Sequence, residues 1–249
     1  MMGFHDTLSA YFPNAREGAA FTLAVVNYLA GKGFTPENTL FGHSTCVDEV
    51  CRTVTKFAAH YGESFVLGGL AGIPFSGDAG FGAYAQHVPD RGNLLVLYGS
   101  HIAIGRDGEI GRIHRPGQES HSMACGAAYA ALKWLESYDG PDGSPIPLGD
   151  IRTHQMNYIK TIFAANSQRI LSADNRTVES INLLYEHIHA LMTSIAGTYL
   201  ASSQGERIAL IGGVMVHGPD KGHFEPRDTI FLRKSGKPVT FLERILKEQ

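Results

Sequence analysis

The chain has 249 residues, the size of one large globular domain or two small ones. Hydrophobic residues at 43% and charged residues at 18% exclude a disordered chain, and a formal charge of −3 argues against a nucleic-acid or anionic-membrane binder. The three cysteines, Cys46, Cys51 and Cys125, are too few and too odd in number for a disulfide framework, while twelve histidines leave room for a metal site.

The first residues lack the basic and apolar stretches of a secretory leader, and no apolar run reaches the roughly 18 residues of a membrane span. A cytoplasmic chain without a membrane partner is therefore expected, or a plastid-stromal one if a transit peptide has been removed. Apolar residues at helical spacing predict a helix over 16–30, ended by Gly31 and Gly33. A second helix is predicted over 47–61, with Thr45 and Asp48 in a capping pattern and Val47, Val50, Cys51, Val54, Phe57 and Tyr61 along its apolar face. A short strand at 64–67 leads into a glycine-rich loop over 68–82. The continuous apolar run 94–98 reads as a strand buried on both faces. Segments 102–105 and 109–114 flank Arg106-Asp107-Gly108, a predicted hairpin turn. Helices follow over 124–138, 151–173 and 177–201, with Ser122 as a cap for the first and the Gly/Pro/Asp-rich segment 139–150 as a loop. A buried strand over 207–216, an edge strand over 228–233 and a helix over 239–247 complete the chain. Strands alternating with helices predict an α/β fold, with a mainly parallel central sheet flanked by helices in a single domain over 1–249.

Chemistry is expected at a few points. Cys46 would open the second predicted helix, where free amides favour a thiolate. Asp48 and Arg52, four apart on that helix, would share a face and pair. His101 follows a buried strand closely, and ligands of open α/β sheets bind beyond the carboxyl ends of strands. Cys125 opens the alanine-rich helix. Each residue taken alone also fits an ordinary role: a buried structural cysteine, a surface ion pair, a polar loop residue. Together Cys46, His101 and Cys125 would supply two thiolates and one imidazole, the catalytic kind of zinc site with a fourth position open. Their spacing contains no CxxC or HExxH and does not select them. Cys51 reads as core. His43, His114, His121 and His223 read as solvated, and His87 and His217 are the spare candidates. The loop aromatics Phe75, Phe81 and Tyr84 either line a small apolar pocket beside a metal or pack on the core.

The motifs STCVDEVCR, GGLAGIPFSGDAGFGAYAQHVPD, LLVLYGSHIAI, SMACGAA and LIGGVMV occur in this order. Together they resemble the limiting-carbon-dioxide-inducible protein B/C family, whose members look like β-type carbonic anhydrases. The resemblance covers about 34–233. It implies an α/β domain like that of β-carbonic anhydrases, a homodimer, and Zn2+ held by Cys46, His101 and Cys125. It also implies an Asp48–Arg52 dyad that orients the reacting water. Carbon dioxide and bicarbonate are then the substrates, in the apolar pocket formed with Phe75, Phe81 or Tyr84, and His87 is a proton shuttle. The alternatives are a non-catalytic zinc- or bicarbonate-binding protein of inorganic-carbon handling, and a cysteine hydrolase. Ordinary β-carbonic anhydrases show Cys-x-Asp-x-Arg and His-x-x-Cys. Here the arginine lies four residues after the aspartate, and a hairpin-bearing insert separates His101 from Cys125.

Overall fold

The computed structural model describes residues 2–51, 53–140, 146–202, 207–234 and 236–247, with side chains of 201 and 202 left aside. A seven-stranded sheet carries the molecule. Its strands are β1 (Arg16–Glu17), β2 (Thr39–Ser44), β3 (Phe65–Val66), β4 (Asn93–Ala103), β7 (Arg207–His217), β8 (Gly222–Arg233) and β9 (Val239–Thr240), in the order β1-β8-β7-β4-β2-β3 with β9 also on β8. The half containing β3, β2, β4 and β7 is parallel. β8 runs antiparallel to β7, β1 and β9. A separate antiparallel pair, β5 (Arg112–Ile113) with β6 (Ser122–Met123), sits in the insert after β4.

Every residue of β4 is buried, as a strand covered on both faces requires. On one face lie α2 (Gly18–Ala30) and α3 (Thr53–Tyr61). Phe21 of α2 stacks on Phe224 of β8 at 4.5 Å, and Phe57 of α3 stacks on Phe41 of β2 at 5.7 Å. α9 (Leu242–Lys247) follows Phe241, whose ring stacks on Tyr28 of α2. The other face is covered by α8 (Arg176–Ser202), with α4 (Gly77–Gln86) and α5 (Gly126–Glu136) packed against it. α6 (His154–Ala164) packs on α5, and α7 (Ser167–Leu171) on α8; α1 (Phe4–Tyr11) sets Phe4 against His223. No described helix is long and apolar enough to cross a membrane.

The mainly parallel α/β sheet matches expectation; several boundaries do not. The first two residues of the helix predicted over 16–30 are β1, paired with β8. The helix predicted over 47–61 begins only at Thr53. Before it the chain bends: the Asp48 carboxylate accepts from the Val50 N–H at 3.3 Å, a local bond that competes with helix formation, and Val47 is exposed rather than apolar-face core. The capping role of Thr45 and Asp48 lapses with it. The glycine-rich 68–82 stretch contains most of α4, which buries Phe81, Tyr84 and Ala85 at helical spacing despite its glycines. The strand predicted over 228–233 is the end of twelve-residue β8 and not an edge, because β9 pairs with it. β2 and α1 were not foreseen: each is short, and Gly42, His43 and Ser44 in β2 interrupt the apolar alternation of a strand. The predicted loop over 139–150 lies partly outside the described residues.

Glu225 of β8 carries a measurable cost. It is buried, its Oε2 has no hydrogen-bond partner, and burial pushes its carboxyl from 4.5 up to about 6. The folded chain then keeps a proton that the unfolded chain has lost, so stability falls as pH rises from about 4.5 to about 6. Glu225→Gln is expected to stabilise the protein above pH 6 by about 2 kcal/mol, one and a half pK units. Thermal melts of both proteins from pH 4 to 8 check this, with the curves converging at the acid end.

Candidate metal centre

The parallel register sets the site. Ser44, the last residue of β2, pairs with Tyr98 of β4, so His101 lies three residues beyond the end of that ladder. Cys46 lies two residues past β2, in a loop and not at a helix start. A turn over Leu70–Gly72 closes on it. Gly72 has φ +89°, and a Cβ there would stand 2.2 Å from the Gly99 carbonyl oxygen and 3.4 Å from the Cys46 nitrogen, so only glycine lets this turn sit so close. The Ser44 hydroxyl donates to the Gly72 carbonyl at 2.9 Å and ties the turn down. Cys125 is the N-cap of α5. Amides of Ala127 and Ala128 point at its sulfur, the setting the sequence predicted for it.

The structure brings Cys46, His101 and Cys125 together. One ligand atom from each lies within 4.8 Å of the others, and all three residues are buried. The two sulfurs are 3.9 Å apart. Two thiolates each about 2.3 Å from a tetrahedral zinc would stand about 3.8 Å apart. His101 Nε2 is buried with no hydrogen-bond partner, which a cation would supply. The donor set and its spacing therefore fit Zn2+. The Cys46 thiol is lowered to about 4, first by the hydrogen bond from Cys125 and further by His101 and the Asp48 amide, against the effect of burial. Cys125 is pushed up by the same bond and by burial. Cys51 is buried and its thiol is pushed up, as a core residue's should be. A second group, Cys51, His101 and His217, meets the same distance limit and shares His101.

Asp48 has a partner far away in the chain. Both its oxygens are taken by Arg115, at 2.9 and 2.8 Å from Nη2. This ion pair is largely covered, with side chains 16% and 13% exposed. Burial raises the Asp48 carboxyl, but hydrogen bonds with Glu49 and Arg115 and the nearby His101 outweigh it and hold it below the usual carboxylate range. Arg115 is itself anchored to Glu49 at 2.7 Å, to the Met123 carbonyl at 3.3 Å and to the Ser122 hydroxyl. Ser122 thus holds this arginine instead of capping α5. Arg52, the arginine expected beside Asp48, lies outside the described residues. Sequence reasoning missed Arg115, since 67 positions separate it from Asp48 and only the β5–β6 pairing carries it back.

The aromatic residues fall elsewhere. Tyr84 is core, its hydroxyl donating to the Leu40 and Leu95 carbonyls at 2.8 and 3.0 Å, midway along the sheet. Phe81 packs on Tyr84 and Tyr199. Phe75 sets its edge against His154 and Tyr158. For Phe81 and Tyr84 the expected pocket is therefore corrected to core packing, because α4 turns them onto α8 and the sheet, while Phe75 precedes α4 and packs against α6. A small apolar void adjoins Cys125 instead, lined by Ala124, Ala128, Leu132 and Ile181. His87 is exposed at the end of α4, with Nδ1 2.7 Å from the Ala83 carbonyl and its ring beside Phe65. A larger cavity of about 1030 Å3 opens on the other side of the Asp48 loop, lined by Glu49, Val50, His114, Arg115, His121 and His217 among others.

The family described as limiting CO2-inducible proteins B/C, beta carbonic anhydrases, matches residues 16–232. The crystal structure of PtLCIB4, a homologue of the limiting CO2-inducible protein LCIB, is similar at 30% identity and TM-score 0.86, over 94% of this chain and 98% of that one. The crystal structure of LCIB itself has the same fold at 21% identity and TM-score 0.73, over 94% of this chain and 96% of that one. A search of the curated proteins found no match. With most of its length matched, the chain belongs to the family described as limiting CO2-inducible proteins B/C, beta carbonic anhydrases.

Proposed function

We propose that this protein is a zinc-dependent carbonic anhydrase interconverting carbon dioxide and bicarbonate. The observation that carries the reading is the gathering of Cys46, His101 and Cys125 around a partnerless buried Nε2, two residues along the chain from a carboxylate clamped by arginine. Zinc held there supplies Lewis acidity, bringing a water's pKa towards 7. The chain's own residues do the rest. Asp48 accepts a hydrogen bond from the reacting water and fixes its lone-pair direction. Arg115, by holding both Asp48 oxygens, keeps that carboxylate ionised and aimed. A second copy of the chain as partner and a cytoplasmic setting belong to the same proposal.

The test is stopped-flow hydration of carbon dioxide across pH, with zinc measured on the same sample. Hydration that scales with zinc content and vanishes in Cys46→Ser is expected. Stoichiometric zinc with hydration no faster than the Cys46→Ser control overturns the reading.

A further inference from the structure

His217 is buried, and no step proposed above uses it. It ends β7, and the register explains its position. His101 pairs with Met215 in the parallel β4–β7 ladder, so His217, two residues on, projects from the same face of the sheet. The Ile104 amide donates to the His217 carbonyl at 2.9 Å and fixes its backbone. The two rings meet edge to face at 5.2 Å, with His101 Nδ1 3.1 Å from His217 Nε2.

The two nitrogens of His101 are thus unequally placed. Nδ1 has a ring partner, and Nε2 has none. With Nε2 as the ligand atom beside Cys46 and Cys125, the ring proton belongs on Nδ1, where His217 stands as the partner. We infer that His217 is a positioning residue for the metal centre: its Nε2 accepts the His101 Nδ1 proton, fixing both the tautomer and the ring angle of the ligand. His217 also lines the 1030 Å3 cavity, so the back of the ligand is reached from a solvent space that the metal set does not wall. The inference rests on the zinc reading above.

The test measures zinc affinity by chelator competition and the visible spectrum of the cobalt-substituted protein, for wild type, His217→Phe, His217→Gln and Cys46→Ser. Loss of an outer partner of a metal-bound histidine costs about 10- to 100-fold in affinity. His217→Phe, which keeps a ring but no acceptor, is expected to show that loss and an altered cobalt spectrum. His217→Gln, whose Oε1 can accept the same proton, is expected to recover most of it. Wild-type affinity in His217→Phe, alongside loss of metal in Cys46→Ser, overturns the role of His217 and leaves the zinc reading standing. Wild-type protein that binds no zinc overturns both. Two zinc ions per chain, the second lost in Cys51→Ser, would make His217 a ligand and also overturn the inference. Should His217→Phe fail to fold, nitrogen-15 NMR of the zinc-loaded wild type decides. His101 with its proton on Nδ1 supports the inference, and His101 protonated on Nε2 overturns it.

Discussion

Arg115→Gln is expected to lower carbon dioxide hydration by roughly 10²-fold or more while zinc remains bound, the scale of losing an oriented acid–base group. The geometry gives the reason. Among the described residues Arg115 is the cation on both Asp48 oxygens, and the pair is largely covered. Without the arginine, Asp48 keeps its burial but loses a main support for its charge, so its carboxyl rises towards and past the usual range. Activity should then fall off at a higher pH in the acid limb than it does in wild type. That shift separates loss of aim and charge from simple damage to the fold. Arg52→Gln is expected to have the smaller effect, since Arg115 already occupies both carboxylate oxygens. A larger loss from Arg52 would return the dyad to the helix-neighbour pairing read from the sequence. Zinc content, pH–rate profiles and the two variants in parallel check this.

Cys125→Ser is expected to remove bound zinc and all hydration above background. Serine keeps the N-cap of α5, since its hydroxyl is a good cap, so the helix should form. What is lost is one of the two sulfurs standing 3.9 Å apart. Zinc that binds only the folded chain also stabilises it, by about 2.7 kcal/mol when free zinc is a hundred times its dissociation constant. Wild type should therefore melt lower after chelation, to a temperature close to that of Cys125→Ser, and recover when zinc is restored. A Cys125→Ser protein that holds zinc as tightly as wild type would remove Cys125 from the ligand set.

How much of this was legible beforehand depends on the range of the interaction that decides each feature. The strand over 94–98 stood out because burial on both faces leaves an unbroken apolar run, and β4 extends it at both ends. Cys125 at a helix start was readable from the alanine-rich pattern that follows it. Cys46 reached the right group for the wrong local reason. The expected helix over 47–61 starts late, and tertiary bonds to Asp48 take the place of a first turn. Arg115 left no trace in spacing, because its position depends on a two-residue ladder far along the chain. The aromatics of the glycine-rich stretch misled because glycine suggests a loop, whereas Phe81 and Tyr84 have enough core to bury to hold a helix there.

The insert between His101 and Cys125 has a consequence for how such sites diverge. It looked like a detour that merely pushed two ligands apart. Yet it carries Arg115, the cation that a compact Cys-x-Asp-x-Arg sequence would supply within a few residues of the aspartate. The long His-to-Cys separation is thus what makes room for the Arg115–Asp48 pair. Trimming the insert would remove Arg115 and its bonds to both Asp48 oxygens. A chimaera must exchange both segments together or neither.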